Sequence, residues 1–451
     1  MAETGAKVLK KAKEAGVKFV SLRFVDVLGT AKNCEVTVDR LEKVIDQGLW
    51  FDGSSIEGFA RIHESDMLLK PDLSTFATLP WTNNTVAAVM CDVYGSDGKP
   101  FVGDPRFVLK SVVEKARKMG FEYKVGPELE FFLFCQKNGN GNGSGTGGHA
   151  SPEPHDSASY FDLDPMDLAA DLKREIVPMM ESMGMSIEMS HHEVAPGQHE
   201  IDFKYDTAVK QADNVLTYKN TVKMVAKKYG LFASFMPKPI QGINGSGMHV
   251  HQSLWKGGKN AFFDAKDEYN LSDVAYSFVA GQLHHARALS AVVAPTVNSY
   301  KRLVPGYEAP VYVCWGRRNR SALIRVPEQF MKREYATRAE LRCPDPSCNP
   351  YLAFAAMLAA GLDGIERKMK PPESVEEDVY EFDDAKLAKR YINTLPGSLG
   401  EAMAEFAKDA VLKEALGANL SEKLAAAQKQ QWDAYRQQVT KWELDEYYPV
   451  L

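Results

Sequence analysis

The stretch GPELEFFLF, residues 126–134, decides how the rest of the chain is interpreted. Its Phe and Leu residues predict a buried strand. Because side chains on a strand alternate between two faces, Glu128 and Glu130 must point to the same side, with apolar side chains on the other. Burying an ionised carboxylate without a partner costs several kcal/mol. Two glutamates on one face of a core strand therefore raise the question of which cation faces them.

The composition is that of a globular protein with a substantial core. The chain has 451 residues, of which 45% are hydrophobic and 25% charged, and its formal net charge is −6. No segment is strongly basic, which argues against nucleic-acid or membrane-surface binding. The polar N-terminus lacks a signal-peptide core. Six cysteines without a CxxC pair are typical of reduced thiols, so we expect a cytoplasmic protein.

The chain is predicted to contain two domains. Strand patterns at 17–26, 34–38 and 85–94, with a helix at 39–48 capped by Asp39, indicate a small α+β domain over residues 1–105. A larger domain follows over residues 106–451 and ends in a mostly helical region, 370–451.

Two local patterns stand out in the larger domain. The glycine-rich segment 136–159 predicts a mobile surface loop. We do not expect its histidines to bind metal, because flexible glycine cannot hold a coordination geometry. Asn349 followed by Pro350 predicts the start of a helix, with Asn349 as its cap.

Four further segments repeat the pattern of an apolar back and an ionisable front. Their polar residues are Glu188, Glu193 and Glu200 in SIEMSHHEVAPGQHEIDF, His249, His251 and Ser253 in GSGMHVHQSLW, Arg325 in SALIRV, and Arg338, Glu340 and Arg342 in TRAELRC. Any one such strand is usually the solvated face of a sheet. Five of them, with almost no Lys or Thr on the polar faces, predict a curved sheet with a polar, concave side.

The charges of this face indicate its ligands. Glu128, Glu130, Glu193, Glu200 and Glu340 cannot all stay ionised side by side without cations. Carboxylates with one imidazole suit Mg²⁺ or Mn²⁺ better than zinc. Arg302, Arg320, Arg325, Arg338 and Arg342 suit phosphate or carboxylate groups. Metals with a set of arginines are what phosphoryl transfer needs, and no Walker motif or Ser-His-Asp arrangement points elsewhere.

Longer motifs give the chain a family. FDGSS, GPELEFF, HHEVAPGQHEID, KPIQGINGSGMHVHQSL, NSYKRLVPGYEAP, RNRSALIR and RAELRCPDPSCNPYLAF resemble, in this order, the bacterial and archaeal type I glutamine synthetases. The resemblance spans nearly the whole chain. It implies an α+β fold with an N-terminal β-grasp domain and a C-terminal catalytic domain, whose curved antiparallel sheet forms the active-site funnel. It also implies a homo-dodecamer of two hexameric rings with active sites between subunits.

The resemblance assigns a role to most of the polar residues. One metal would be held by Glu130, Glu193 and Glu200, and the second by Glu128, His249 and Glu340. The ATP-binding residues would be Glu188, Tyr205, His251, Ser253, Arg320, Arg325 and Arg338. The glutamate-binding residues would be Asn244, Gly245, Arg302, Glu308, Arg320 and Arg342. Asp52 and Ser55 would bind ammonium, and the catalytic residues would be Asp52, Glu308, Arg320 and Arg325.

The implied reaction makes glutamine from glutamate, ammonium and ATP through γ-glutamyl phosphate, with Glu308 as a flap that shields this intermediate from water. Arg61 resembles an arginine used in feedback inhibition by glutamine, and a surface arginine is the alternative. A small nitrogen-regulatory protein is a further partner of such enzymes. The segment 328–337 departs from the family, since Tyr335 replaces a basic nucleotide contact for which Lys332 or Arg333 would have to substitute.

Three other functions compete with this one. A γ-glutamyl ligase for a polyamine or another amine would share the fold and the metals, but the intact Asp52-Gly53-Ser54-Ser55 favours ammonium. A non-catalytic relative would be expected to have lost metal ligands, and none of the six is missing. A guanidino kinase is disfavoured by PGYEAP and by the lack of a matching cysteine.

Overall fold

A computed structural model describes residues 4–54, 56, 66–136, 152–328 and 334–451. The strands form two sheets, each with its own hydrophobic core. The first sheet has the strand order β2-β1-β6-β4-β3, with β5 paired to β6, and two helices pack on it. Its strands are β1 (Phe19–Val25), β2 (Ala31–Thr37), β3 (Leu49–Asp52), β4 (Asp66–Pro71), β5 (Ala77–Thr78) and β6 (Val86–Tyr94).

The second sheet contains all five segments with an ionisable front. Its order is β17-β14-β15-β16-β12-β7-β9-β8, with β10 and β11 paired to β7 and β13 paired to β12. Its strands are β7 (Glu122–Cys135), β8 (Ile187–His192), β9 (Gln198–Phe203), β10 (Asp206–Thr207), β11 (Leu231–Ser234), β12 (Met248–Lys256), β13 (Lys259–Asn260), β14 (Tyr312–Gly316), β15 (Ala322–Arg325), β16 (Ala339–Leu341) and β17 (Asn393–Thr394). The sheet is antiparallel as predicted, except that β14 and β15 run parallel.

Helices cover the apolar back of the second sheet and form the C-terminal region. The α-helices are α1 (Gly5–Glu14), α2 (Leu41–Gln47), α3 (Pro105–Lys118), α4 (Ala170–Ser182), α5 (Ala208–Lys228), α6 (Asp273–Val293), α7 (Ser299–Arg302), α8 (Pro350–Glu366), α9 (Asp384–Lys389), α10 (Leu399–Lys408), α11 (Ala410–Leu416), α12 (Ala418–Tyr435) and α13 (Lys441–Tyr447). Among the described residues, no helix combines the length and apolarity needed to cross a bilayer.

Helices α6 and α8 cross with their backbones almost in contact. A Cβ atom at Gly281 would lie 2.1 Å from the carbonyl oxygen of Ala360, and one at Gly364 would lie 2.0 Å from that of Ser277. Both distances are far below any tolerated contact, so the crossing requires glycine on both helices. Fourteen residues of α8 are buried, which makes it a core helix.

Helix starts show where local prediction succeeded and where it failed. The side chain of Asn349 accepts hydrogen bonds from the amides of Tyr351 (3.1 Å) and Leu352 (3.4 Å), as its predicted role requires. The prediction that Asp39 caps a helix was wrong. A short 3₁₀ turn, Val38–Arg40, precedes α2, and Arg40 occupies the cap position without a side-chain hydrogen bond.

A buried arginine joins the two sheets. Arg106, at the start of α3, binds Asp213 of α5 through Nε (3.0 Å) and Nη2 (2.9 Å). It also donates to Asp92 of β6 (2.6 Å) and to Asp72 (2.7 Å), which follows β4. We refer to Arg106, Asp72, Asp92 and Asp213 as the Arg106 junction. It fixes the position of the first sheet relative to the second through charge-assisted hydrogen bonds.

Candidate active site

The ionisable fronts of neighbouring strands lie directly opposite one another. Glu128 of β7 pairs with Asp202 of β9 on one side and with His249 of β12 on the other. Glu130 pairs with Glu200 in the next polar register of β7 and β9. Like charges in directly opposite positions destabilise a sheet, so this face is arranged for something other than stability.

A cavity of about 320 Å³ opens on this face. Most of the predicted metal, glutamate and phosphate ligands line it, together with residues that the sequence analysis did not assign. Its lining residues are Glu128, Glu130, Tyr160, Met189, His191, Glu193, Val194, Gln198, Glu200, Asp202, Asn244, Gly245, His249, His251, Arg302, Tyr307, Glu308, Arg320, Arg325, Arg338, Glu340 and Arg342.

One group of potential metal ligands is the set Glu128, His249 and Glu340, whose ligand atoms all lie within 4.8 Å of one another. His249 Nδ1 is 3.7 Å from Glu340 Oε1 and 4.0 Å from Glu128 Oε2. Burial, together with the charges of Arg342 and Arg302, holds the pKa of His249 well below its ordinary value. The ring is therefore neutral and has a lone pair to offer a cation.

Glu128 is held in place by a relay of hydrogen bonds. Arg338 Nε donates to His251 Nδ1 (3.0 Å), and because an arginine can only donate, the proton of the neutral ring must sit on Nε2. That Nε2 faces Glu128 Oε1 at 2.7 Å and donates to it. Burial alone would raise the pKa of Glu128, but His251 and Arg338 outweigh it and keep this carboxylate ionised.

Glu130 is buried among donors and a second carboxylate. Its Oε2 accepts from Gln198 Nε2 (2.6 Å) and from the amide of Gly247 (3.0 Å). Burial and the nearby charge of Glu193 nevertheless raise the pKa of Glu130 to about 8. A Cβ at Gly247 would lie 2.5 Å from Arg302 Nη2 and 3.2 Å from Glu130 Oε1, which explains a glycine at this point of NGSGMH.

A second group of potential metal ligands, with atoms within 4.8 Å of one another, consists of His191, Glu200 and Asp202. Of the predicted set Glu130, Glu193 and Glu200, it includes only Glu200. His191 Nε2 lies 3.2 Å from Glu200 Oε2, and its Nδ1 lies 3.5 Å from Glu193 Oε1. Burial and the neighbouring carboxylates raise the pKa of Glu200 well above its ordinary value. Burial, then Glu128, raise the pKa of Asp202 to about 8.

The sequence analysis missed His191 and Asp202 although a signal was present. Both stand two residues from a predicted ligand, His191 before Glu193 and Asp202 after Glu200. The same alternation that paired Glu128 with Glu130 places Asp202 on the face of Glu200.

The arginines at the cavity differ in the acceptors to which they already donate hydrogen bonds. Arg325 Nη1 donates to Glu340 Oε2 at 2.8 Å. The Nη atoms of Arg302 donate to the carbonyls of Arg342 (3.1 Å) and Cys343 (3.0 Å), so this side chain organises the backbone beside the cavity. Arg342 is 4% exposed, and its Nε lies 3.2 Å from Glu340 Oε1, whereas its Nη1 has no hydrogen-bond partner within the described chain. A buried guanidinium that faces a cavity with one nitrogen left over fits an anionic ligand.

Glu308 lies at the cavity in a conformation unusual for its residue type. Its φ is 55°, in the left-handed region that L-residues other than Asn and Asp seldom adopt. The side chain accepts a hydrogen bond from Asn244 Nδ2 at 3.3 Å. Two parts of the predicted glutamate site are thereby joined across the mouth of the cavity.

Part of the predicted nucleotide set lies outside the cavity. Glu188, Tyr205 and Ser253 are not among its lining residues. Ser253 accepts from Trp255 Nε1 at 3.0 Å, and the Trp255 ring stacks near Tyr205 with centroids 6.1 Å apart. These residues form an aromatic surface beyond His251 along β12.

The predicted ammonium site is also separate from this chain's own cavity. Asp52 ends β3 in the first sheet, is exposed, and accepts from the amide of Ser54 at 2.8 Å. Hydrogen bonding from Ser54 holds the pKa of Asp52 below its ordinary value. Ser55, Arg61, Lys332 and Arg333 lie outside the described residues, and Tyr335 is exposed.

The donor set fits hard divalent cations. Three buried carboxyl groups, Glu130, Glu200 and Asp202, have a pKa raised by burial and by neighbouring carboxylates, and Asp202 Oδ1 has no hydrogen-bond partner in the described chain. Added positive charge would relieve this repulsion. Oxygen-rich sets with one imidazole are typical of Mg²⁺ and Mn²⁺ sites.

Comparison with known proteins agrees with the fold and identifies the family. Residues 16–96 match the family model described as glutamine synthetase, beta-Grasp domain, and residues 102–447 match glutamine synthetase, catalytic domain. The glutamine synthetase of Thermus thermophilus is 51% identical over 453 residues, which cover 99% of each chain. That of Halobacterium salinarum is 51% identical over 444 residues, 98% of this chain and 95% of its own.

Solved structures give the same result. The chain resembles the GmaS/ADP complex with a TM-score of 0.87 and 34% identity over 100% of both chains. It resembles a Plasmodium falciparum glutamine synthetase with a TM-score of 0.88 and 26% identity over 99% of both chains. The fold and the charged funnel thus define an ATP-dependent ligase with a β-grasp domain and a catalytic domain. The chain belongs to the glutamine synthetase family.

Proposed function

We propose that this protein joins ammonia to the γ-carboxylate of L-glutamate at the expense of ATP, in the cavity between β7, β9, β12 and β16. The observation that carries the proposal is the combination, around one cavity, of buried carboxylates that repel one another with the Nη1 of Arg342, which has no hydrogen-bond partner within the described chain. The first arrangement calls for cations and the second for an anionic substrate.

Two divalent cations, Mg²⁺ or Mn²⁺, would be held by the acidic residues and His249. Glu128, His249 and Glu340 form one ligand set, and Glu130, Glu193 and Glu200 form the other, with His191 and Asp202 beside Glu200. When bound, such ions neutralise phosphate oxygens and help to position the nucleotide.

The arginines and the lid would bind and orient the substrates. Arg342, with Asn244, Gly245, Arg302 and Arg320, would hold glutamate. Arg320, Arg325 and Arg338 would meet the ATP phosphates, while Glu188, Tyr205, His251 and Ser253 would bind the rest of the nucleotide. The aromatic surface of Tyr205 and Trp255 suits an adenine base.

The reaction would proceed in two steps. The γ-carboxylate oxygen of glutamate attacks the terminal phosphorus of ATP, the bond to the bridging oxygen breaks, and γ-glutamyl phosphate and ADP form. Ammonium then gives a proton to Asp52, ammonia attacks the acyl carbon, and phosphate leaves. Arg320 and Arg325 would stabilise the transferring phosphoryl group, and Glu308 would keep water away from the acyl phosphate.

The position of Asp52 bears on the assembly. Because Asp52 is exposed and absent from the lining of this chain's cavity, we propose that it serves the cavity of a neighbouring subunit in a dodecamer of two hexameric rings. The proposed setting is the cytoplasm. Arg61 is the candidate for feedback inhibition, and a small nitrogen-regulatory protein is a candidate partner.

The test measures ADP release from ATP and glutamate, with and without ammonium, on protein purified by size exclusion. Glu308→Ala should release ADP without ammonium, because the acyl phosphate is no longer shielded from water. Asp52→Ala should lose the stimulation by ammonium and keep nucleotide binding. Parent-like behaviour of both variants would overturn the assigned roles.

A second assay decides between ammonium and an organic amine. The parent should form product with ammonium in preference to putrescine or ethanolamine at equal concentration. Preference for either amine would instead establish the γ-glutamyl ligase.

A further inference from the structure

A further group of potential metal ligands lies outside the cavity, on the opposite face of β9. His199 stands between Gln198 and Glu200 and is fully buried, with its ring centroid 5.7 Å from that of Phe131. His155 and Asp156 face it from the segment before α4, with side chains 6% and 1% exposed. We refer to His155, Asp156 and His199 as the His155 cluster.

The backbone around His155 is well anchored. The amide of His155 donates to the carbonyl of Leu133 in β7 (3.1 Å), and the amide of Cys135 donates to the carbonyl of Glu153 (3.0 Å). The sequence predicted a mobile surface loop over 136–159 whose histidines do not bind metal. For residues 152–159 the prediction of a mobile loop was wrong, because this part pairs with the end of β7. His149 lies outside the described residues.

The cluster contains buried polar atoms with nothing to bind. Within the described chain, Asp156 Oδ2, His199 Nε2 and both ring nitrogens of His155 lack a hydrogen bond of ordinary geometry, and only the backbone of Leu168 lies near enough to interact with the His155 ring. Native proteins rarely leave several such atoms unmet in one place, and a bound ion is one way in which they are satisfied. Here the unmet atoms belong to three side chains that converge.

The distances approach those of a metal site. Asp156 Oδ2 is 3.6 Å from His155 Nδ1 and 3.9 Å from His199 Nε2, and the three ligand atoms lie within 4.8 Å of one another. Ligands at about 2.0–2.1 Å from a tetrahedral ion would be separated by about 3.3–3.4 Å. The two separations that involve Asp156 exceed this value by about 0.3 and 0.5 Å, and the separation of the two histidine nitrogens, within 4.8 Å, by at most about 1.4 Å, so the side chains would have to move together to close on an ion.

Neighbouring groups already orient the carboxylate. Asp156 Oδ1 accepts from His192 Nε2 (3.0 Å) and from the amide of Gly197 (2.7 Å). His192 Nδ1 faces the carbonyl of Glu193 at 2.7 Å. Because both nitrogens of His192 face acceptors, this ring is a donor on both sides, which agrees with its raised pKa. Asp156 Oδ2 is left for the cluster.

The surroundings of His199 determine where its ring proton lies. Lys173 Nζ is 3.5 Å from His199 Nδ1, and Asp167, which pairs with Lys173 at 2.5 Å, is 4.0 Å from the same nitrogen. A metal at Nε2 requires the proton on Nδ1, where Asp167 would accept a hydrogen bond from it in place of the contact with Lys173.

We propose that His155, Asp156 and His199 bind one Zn²⁺ ion, which ties the segment after the glycine-rich stretch to the strand that carries Glu200. Two imidazoles and one carboxylate suit zinc better than Mg²⁺, in contrast to the oxygen-rich cavity. A water completes the tetrahedral set. The ion has a structural role and lies outside the catalytic cavity.

The test measures zinc in the full-length protein by mass spectrometry after EDTA treatment, re-equilibration with Zn²⁺ and dialysis against excess Mg²⁺. Because zinc can also enter the cavity, each sample is compared with the double variant Glu128→Gln, Glu130→Gln, which weakens the cavity sites. His155→Asn removes one cluster ligand, and His284→Asn, an exposed histidine on α6, is the matched control.

The cavity double variant and His284→Asn should each retain the zinc ion of the His155 cluster, one per chain. His155→Asn should lack this ion, because its affinity for Zn²⁺ at the cluster is reduced at least about 100-fold. Co²⁺ should give the visible absorption of a four-coordinate site in the parent but not in His155→Asn. ADP formation by His155→Asn in Mg²⁺ verifies its fold. Equal zinc content with and without His155, or no such Co²⁺ spectrum in the parent, would overturn the proposal.

Discussion

The Arg106 junction and the cavity both bury several charges, but they balance them differently. At the junction, one guanidinium meets three aspartates, and Lys110 adds a second cation at 2.7 Å from Asp92. Burial opposes ionisation of Asp72, yet Ser74 and Arg106 keep the pKa of this carboxyl below its ordinary value. In the cavity, Glu130, Glu200 and Asp202 instead have raised pKa values.

The difference separates a structural role from a functional one. A buried charge with its partners in place contributes to holding the sheets together. Buried charges of one sign, directly opposite one another on neighbouring strands, destabilise the protein until a ligand of opposite charge arrives. Removing a charge should therefore have opposite effects on stability in the two regions.

The largest effect on stability is expected at the junction. Arg106→Ala leaves up to three carboxylates without their guanidinium and should lower the free energy of unfolding by about 3–5 kcal/mol. Urea unfolding followed by circular dichroism measures it. Lys110→Ala, which removes a half-exposed cation from Asp92, should cost less than about 1 kcal/mol. Equal losses in the two variants would contradict the role of Arg106.

The next effect concerns catalysis. Glu130→Gln preserves the shape of the side chain but removes its charge, and glutamine formation should fall about 10²–10³-fold, or about 3–4 kcal/mol of barrier. Steady-state rates at saturating Mg²⁺ and at saturating Mn²⁺ measure it. Glu114→Gln, an exposed glutamate on α3, should behave like the parent. A full rate for Glu130→Gln would remove it from the metal site.

A smaller effect is expected for a residue beside the predicted ligands. Asp202→Asn should lower the apparent affinity for Mn²⁺ about 10–100-fold, because Asp202 supports Glu200 and adds charge to the cluster. The Mn²⁺ concentration that gives half of the maximal rate measures it. An unchanged concentration would show that Asp202 takes no part in metal binding.

Per pH unit, the smallest effect is a pH dependence of the free energy of unfolding of the metal-free protein. In the folded protein the pKa of Glu130 is raised to about 8. Protonation of Glu130 therefore contributes fully to the free energy of unfolding below the ordinary glutamate pKa, and this contribution is lost as the pH rises toward 8. The slope is at most about 1.4 kcal/mol per pH unit. Urea unfolding in EDTA between pH 5 and 9 should show a shallower decline for Glu130→Gln than for the parent. Identical slopes would contradict the raised pKa.

Sequence reasoning worked where the signal is local. Alternation along a strand placed Glu128 and Glu130 on one face, and the Asn-Pro pair identified the start of α8, because both depend on a few adjacent residues. Asp39 failed as a cap because the chain enters α2 through a 3₁₀ turn, a choice that depends on packing. The pairing of β14 with β15 in parallel likewise had no local signal.

Long-range contacts were beyond such reasoning. Asp72, Asp92, Arg106 and Asp213 carry no common motif, and only the fold brings them together. The His155 cluster has the same origin, because α4, β8 and a turn separate His199 from His155 along the chain. The roles that came from family motifs, such as those of Glu308 and Asp52, remain predictions for the assays above.

The glycine crossing of α6 and α8 has a consequence for motion. Helices in backbone contact leave no room for one to shift without the other, so we expect α6 and α8 to move together beneath the second sheet. A bulkier residue at Gly281 would force the two helices apart and should lower activity through the sheet that they support, although Gly281 does not line the cavity.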